Sequence, residues 1–346
     1  MGVSSIRAIS APLILGLICF ALHTILVLAG LSDLHPWSQV TYLYDAGWSV
    51  RNWGFAPEDL PAELQNWDGI RPDAHKARFF LMWPFMALAD EAGLQTAELL
   101  TFLKPVFAAI TIWAVARVVR HKNGAISFLS AGALLPLAGL IAVMDGRLVF
   151  ALCGYALLIS VFFGPGMQVL SASLLSLLAI WLTSVTSGTF WCATLTLLLV
   201  SLLGIRQEGS LNERLKGLIP LATVLMVFSG GLLDALKKVT EYYGGVSGLL
   251  SGAISHGPAQ FLGQHAAVGA VLVIVCVTAA VSALIWLKIL RVPRSEPLLL
   301  VAAVPLILGV TGLSVLVLAA VPVTMVIAVF VPRLVSGQKP DAHRLP

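Results

Sequence analysis

Aromatic and ionisable side chains are concentrated in a polar stretch, residues 32–78, that follows the first apolar run of the chain. Its central part holds Tyr44, Asp45, Trp48, Arg51 and Trp53. The carboxylate of Asp45 can act as a general base by accepting a proton from a hydroxyl group. The rings of Tyr44, Trp48 and Trp53 have flat apolar faces with polar edges, which suit stacking on sugar rings. An ordinary aromatic belt at a membrane interface is the alternative interpretation.

Arginines in and beyond that stretch could bind phosphate, because a guanidinium group contacts two phosphate oxygens at once. The candidates are Arg51, Arg71 and Arg78, together with Arg147 in the tight turn Asp145-Gly146-Arg147. Asp145 is either part of the same site or only the ion-pair partner that an arginine near lipid requires.

A second polar stretch, residues 234–265, holds Tyr242 and Tyr243, which offer another stacking surface. Two ionisable residues, His23 and Lys104, lie within apolar runs. For His23 the sequence leaves open whether it is a buried hydrogen-bonding residue or a functional one. No combination of residues predicts a metal site.

The elements that position these residues must be membrane helices. Hydrophobic residues make up 58% of the 346 and charged residues only 11%, and the mean hydropathy is +0.94. A soluble domain has about 25% charged residues, so this chain cannot cover a surface that faces water. We therefore predict an all-α fold, a single polytopic transmembrane helical bundle that comprises residues 1–346.

Apolar runs near the length that a membrane helix needs, about 20 residues, predict about ten transmembrane helices. They cover residues 9–31, 97–118, 125–144, 148–164, 167–186, 188–205, 217–234, 266–287, 297–311 and 314–331. The first run is too long for a signal-peptide core, so we expect an uncleaved helix. The last two are separated by Gly309-Val310-Thr311-Gly312, and whether 297–331 crosses once or twice is left open. Phe79–Ala89 is too short to span and contains Pro84, which favours an interfacial or re-entrant segment.

The placement of lysine and arginine predicts the orientation. Most of the 21 basic residues fall near the N-terminus and in alternate connections, at 117–122, 206–216, 288–294 and 333–344. Cytoplasmic loops are enriched in such residues, so we predict that both termini are cytoplasmic. Residues 32–78 and 234–265 then form a working face outside the cytoplasm, as in a bacterial inner-membrane protein.

Several function classes are disfavoured by what the sequence lacks. It contains no Walker loop, dinucleotide-binding glycine motif, HExxH or Asp-x-Asp pair, which disfavours ATP-driven work and chemistry on nucleotide sugars. The apolar runs hold few ionisable residues, whereas ion-coupled transporters keep charges at the membrane midplane.

The chain resembles polytopic bacterial enzymes of envelope-glycan synthesis. The strings that are similar to O-antigen and exopolysaccharide polymerases (Wzy- and EpsG-like proteins) are Asp145-Gly146-Arg147-Leu148 and Thr186-Ser187-Gly188-Thr189-Phe190. The strings that resemble GT-C glycosyltransferases, which place a catalytic aspartate in the first outer loop, are Tyr44-Asp45, Gly54-Phe55-Ala56-Pro57 and Trp83-Pro84.

This resemblance implies glycosyl transfer from a polyprenyl-diphosphate-linked donor on the outer face of the membrane, as repeat-unit polymerisation in envelope or exopolysaccharide synthesis. Asp45 would be the general base, and Arg147 would neutralise the diphosphate with help from Arg51, Arg71 or Arg78. We expect no soluble cofactor, leave a divalent metal open, and expect no nucleic-acid partner. Other polysaccharide-assembly membrane proteins are possible partners.

Two other classes compete with the enzyme. One is a flippase or transporter for lipid-linked oligosaccharides, which would need a wide hydrophilic cavity through the membrane. The other is a non-catalytic membrane subunit of an envelope complex. The sugar, the linkage and the oligomeric state do not follow from the sequence.

Overall fold

The described part of the chain consists of helices joined by short turns. A computed structural model describes residues 3–30, 84–85, 87–94, 96–144, 146–185, 187–206, 215–226, 297–309 and 313–335. The longer helices, numbered here α1 to α10, are Val3–Leu28, Thr96–Asn123, Phe128–Val143, Gly146–Phe163, Val169–Thr183, Ser187–Arg206, Leu215–Met226, Pro297–Leu308, Leu313–Leu318 and Ala320–Val335. None of these residues forms a strand, so the predicted all-α class is confirmed for this part of the chain.

Three segments are long and apolar enough to cross a membrane, namely Ala11–Leu28, Glu98–Asn123 and Ser314–Arg333. Six shorter apolar helices accompany them. Many large apolar side chains on their surface are exposed, and Leu17 and Leu28 of α1 are 57% and 76% exposed. Such a surface is unfavourable in water, so the solvent of the bundle is lipid and the protein belongs in a membrane.

The helix α4 is the centre of the bundle. Its residues from Val149 to Val161 are all buried, as expected of a helix that is apolar on every side. It packs against α2 on one side and α5 on another. A Cβ added at Gly154 would lie 2.5 Å from the Ala179 carbonyl oxygen and 2.8 Å from the Leu182 Cβ, so glycine permits the close approach of α4 and α5.

The turn between α2 and α3 shows how local sequence ends one helix and starts the next. Gly124, with φ of +74°, follows the last residue of α2, a backbone conformation that glycine adopts without steric cost. Ser127 then caps α3, because its Oγ accepts a hydrogen bond of 3.1 Å from the Ser130 N–H.

Contacts between helix ends define the two ends of the bundle. Asn123 at the end of α2 accepts a hydrogen bond of 3.0 Å from Arg333 near the end of α10. Arg117 of α2 donates a hydrogen bond of 3.0 Å to the Pro165 carbonyl between α4 and α5. We call this the Arg117 end. The opposite end, where α3 finishes and α4 begins, is the Arg147 end.

The helices coincide with most of the predicted apolar runs. The one run without any described counterpart is 266–287, and part of 217–234 also lies outside the described residues. One helix ends at Leu308 and the next begins at Leu313. The glycines at 309 and 312 predicted that the apolar run is divided here. The helix α2 continues to Asn123, beyond the predicted end at 118, because its basic last turn extends to the membrane surface.

Candidate functional site

Most of the predicted site residues lie outside the part of the chain that the structure describes. These are Tyr44, Asp45, Trp48, Arg51, Trp53, Arg71, Arg78, Asp145, Tyr242 and Tyr243. Arg147 is the second residue of α4, although its side chain is not among those described. Among the predicted site residues, the described part of the chain therefore includes Arg147 alone, at the start of the central helix. The structure also describes residues around that position.

A buried lysine contacts the end of α3, which directly precedes Asp145-Gly146-Arg147 in the sequence. Lys104 of α2 is 2% exposed, and its Nζ donates hydrogen bonds of 2.8 Å and 3.1 Å to the carbonyl oxygens of Ala142 and Met144. The last carbonyls of a helix have no partner within the helix, and they form the negative end of its dipole. Lys104 thus caps α3 with a positive charge.

His23 of α1 lies in the same buried polar cluster. Its side chain is 2% exposed, and its imidazole interacts with the Ala138 carbonyl of α3 and with the charge of Lys104. The ring nitrogen Nδ1 is buried and has no hydrogen-bond partner among the described residues. Three helices, α1, α2 and α3, therefore meet at a buried polar cluster near the end of α3.

An aromatic cluster borders this end of the bundle. Phe107 of α2 and Phe150 of α4 have ring centroids 4.3 Å apart. Phe85, which follows the first polar stretch, lies 5.1 Å from Phe150 and 6.4 Å from Trp181 of α5. Since Phe150 is one helical turn after Arg147, the rings form an apolar layer just below the start of α4.

Both flanks of the first polar stretch are attached at the Arg147 end. The helix α1 ends five residues after His23, and Phe85 packs beside the first turns of α4. That Asp45 and Arg147 lie close together stays a prediction, because Asp45 lies outside the described residues.

The arrangement brings two basic residues, Lys104 and Arg147, to one end of the bundle. Lys104 supplies a fixed positive charge, and a neighbouring arginine in the turn would add a second. Within the described ranges, no group of three or more His, Cys, Asp or Glu could hold a metal ion.

The sequence also contains a signal that points to Lys104 as a candidate residue. An ionisable residue inside an apolar helix is costly and usually functional or paired. Its partners could not be found from the sequence, because they are backbone carbonyls 38 and 40 residues further along the chain. The proximity of His23 to Lys104 is hidden for the same reason.

Comparison with known proteins gives no family for this chain: no family model, no curated protein and no solved structure matches it at a significant level. The class that the described structure defines is a helical membrane protein, established by the length, apolarity and packing of its helices.

Proposed function

We propose that this protein is a membrane glycosyltransferase that acts on the outer face of a bacterial inner membrane and polymerises repeat units for an envelope or exopolysaccharide. The donor would be a saccharide linked to a polyprenyl diphosphate. The observation that carries the proposal is the buried Lys104 at the end of α3, beside the start of α4, where Arg147 lies. It gives a positive charge at the Arg147 end of the bundle, the end at which the diphosphate of a lipid-anchored donor would bind.

The reaction would be a single displacement at the anomeric carbon of the donor sugar. The acceptor hydroxyl oxygen forms the new bond to that carbon while the bond to the diphosphate oxygen breaks. Asp45 accepts the hydroxyl proton as general base. The bonding electrons leave with the polyprenyl diphosphate, whose charge Arg147 stabilises, with Arg51, Arg71 or Arg78 in support. Tyr44, Trp48 and Trp53 hold the sugars by stacking, with Tyr242 and Tyr243 as a second surface.

The membrane itself explains why such a site would be shallow. A polyprenyl tail keeps the leaving group anchored in the bilayer, so the site needs only to bind the head group at the boundary. The aromatic cluster around Phe85 and Phe150 would border the tail with an apolar surface. No soluble cofactor enters this scheme.

The experiment uses Asp45→Asn and Arg147→Lys in cells, at matched protein level. Asparagine keeps the shape of the side chain but cannot accept the proton, so turnover should fall by roughly 10²–10⁴-fold. Lysine keeps the charge but loses the bidentate fork, so Arg147→Lys should also impair the reaction. Glycan chain length and accumulation of unpolymerised repeat units are the measurements.

Matched controls come from the described residues. Asp90→Asn removes an exposed carboxylate from the segment beside α2, and Arg120→Lys changes an arginine at the opposite end of the bundle. Both should leave glycan length unchanged. Wild-type glycan from Asp45→Asn and Arg147→Lys would exclude these residues from catalysis and favour the flippase or the non-catalytic subunit.

A further inference from the structure

The Arg117 end of the bundle contains a pocket that the proposed reaction does not use. Its volume is about 440 Å³, and it lies between the start of α1, the last turns of α2 and the turn after α4. Among the residues that line it are Pro12, Trp113, Arg117, Arg120, His121 and Pro165. Two arginines and a histidine thus face one cavity at the end of an apolar bundle.

Arg117 is held in place by described neighbours that carry no negative charge. Its guanidinium donates a hydrogen bond of 3.0 Å to the Pro165 carbonyl and contacts the Met167 sulfur at 3.6 Å. The same group lies over the Trp113 ring, with 5.6 Å to the centroid. None of these partners carries a negative charge, so the cation is fixed in direction and remains able to attract an anion.

The other two basic groups add to that attraction. Among the described residues, Arg120 and His121 have no hydrogen-bond or ion-pair partner. The described acidic residues, Asp90, Glu91 and Glu98, all lie toward the Arg147 end of the bundle. The described lining of the pocket is therefore positive, and such a lining attracts anions.

The pocket also adjoins an apolar surface. Leu13 and Leu17, which follow Pro12 on α1, are 49% and 57% exposed and face lipid. A ligand that combines an anionic head with an apolar tail can therefore place its head between Arg117 and Arg120 and its tail along α1. A free anion would use only the charged half of this environment.

We propose that this pocket binds the phosphate of an anionic membrane lipid. Arg117 and Arg120 would contact the phosphate oxygens, Trp113 would pack against the glycerol region, and α1 would receive the acyl chains. In the predicted orientation the pocket opens to the cytoplasmic leaflet, where anionic lipids attract basic residues at the membrane surface. This site is separate from the donor site at the Arg147 end and does not rest on the glycosyl-transfer proposal.

The test is native mass spectrometry of the purified full chain in detergent, titrated with phosphatidylglycerol or phosphatidylcholine. The wild-type protein should retain phosphatidylglycerol preferentially. Arg120→Gln should weaken that binding about fivefold, since a basic residue near a lipid head group contributes about 1 kcal/mol. Lys122→Gln is the matched control: it removes the same charge in the same turn, from a side chain that lies over Phe163 instead of lining the pocket.

Arg117→Gln should weaken phosphatidylglycerol binding further, but it also removes the contacts with Pro165. Arg120→Gln keeps the test valid if Arg117→Gln does not fold. Equal binding by wild type and Arg120→Gln, or equal loss in Lys122→Gln, would overturn the proposal. Competition by inorganic phosphate that removes phosphatidylglycerol would overturn it too, because the site would then be one for a free anion.

Discussion

Lys104 carries a charge into the apolar interior of the bundle, where two carbonyl oxygens of α3 accept its hydrogen bonds. A lysine has three donors and no acceptor, so helix-terminal carbonyls are well matched to it. The arrangement gives α3 a defined end without glycine, since Met144 follows it in an extended conformation.

Replacing Lys104 with methionine tests this role. Methionine has similar length but no donor, so the Ala142 and Met144 carbonyls lose the hydrogen bonds from this side chain. Leaving a buried acceptor unpaired costs about 1–3 kcal/mol, and the midpoint of thermal unfolding in detergent should fall. Lys122→Met, at a partly exposed position, should change the midpoint little. An unchanged midpoint for Lys104→Met would show that the lysine does not hold the end of α3.

At the scale of residues, the sequence indicated which side chains deserve notice but not which residues they contact. It singled out Arg147, which lies at the start of α4, and it left His23 undecided between burial and function. The structure shows His23 buried beside Lys104. Such proximity depends on how α1, α2 and α3 pack, and neither hydrophobic periodicity nor charge spacing encodes that packing.

Helix packing at Gly154 is the clearest feature at the scale of elements. The space between α4 and α5 has no room for a side chain at this position. By contrast, nothing lies within 4 Å of a Cβ added at Gly132 or Gly139 of α3. The three glycines share a helical setting and differ in their neighbours.

Alanine at these positions should therefore have opposite effects. Gly154→Ala should lower stability, because the added methyl group must push α4 away from Ala179 and Leu182. Gly132→Ala should be neutral or stabilising by up to about 1 kcal/mol, because alanine is the better helix former. Thermal unfolding in detergent compares the two variants directly. A stabilising Gly154→Ala would mean that the α4–α5 contact is looser than described.

The positions of helices were largely predictable, and their ends less so. Lipid selects apolar runs near 20 residues, and such runs are visible in composition alone. The end of α2 at Asn123 lies beyond the apolar run, because Gly124 rather than the change in composition ends the helix. Whether Phe79–Ala89 crosses the membrane stays a prediction, although its described residue Phe85 packs against α2, α4 and α5.

For the whole molecule, the described contacts place the beginning of α1 with the end of α2, and the end of α2 with the end of α10. Pro12 lines the same pocket as Arg117, and Asn123 accepts a hydrogen bond from Arg333. The start of α1 and the end of α10 thus lie on the same side of the bundle. An even number of membrane crossings requires this. The ten-helix count and the cytoplasmic termini are predictions that a topology experiment can test.

Reporter fusions provide that experiment. Fusions after Gly54 and Gly245 should report the outer side, whereas fusions after Asn123, Gln207 and Gly337 should report the cytoplasm. Asn123 and Gly337 should give the same signal because α2 and α10 end together. An outer signal at Gly337 would require an odd number of crossings and would place the error near Gly312.

The lysine cap on α3 also bears on how the chain enters the membrane during synthesis. The helix α2 emerges before α3, and without its carbonyl partners Lys104 would face lipid, at a cost of about 2.5–3.5 kcal/mol for a lysine at the centre of a helix. We therefore expect α2 to be retained poorly as a single segment and stably as a hairpin with α3. A chain truncated after Asn123 should be lost from membranes faster than one truncated after Arg147. Equal retention of the two truncated chains would show that α2 inserts independently.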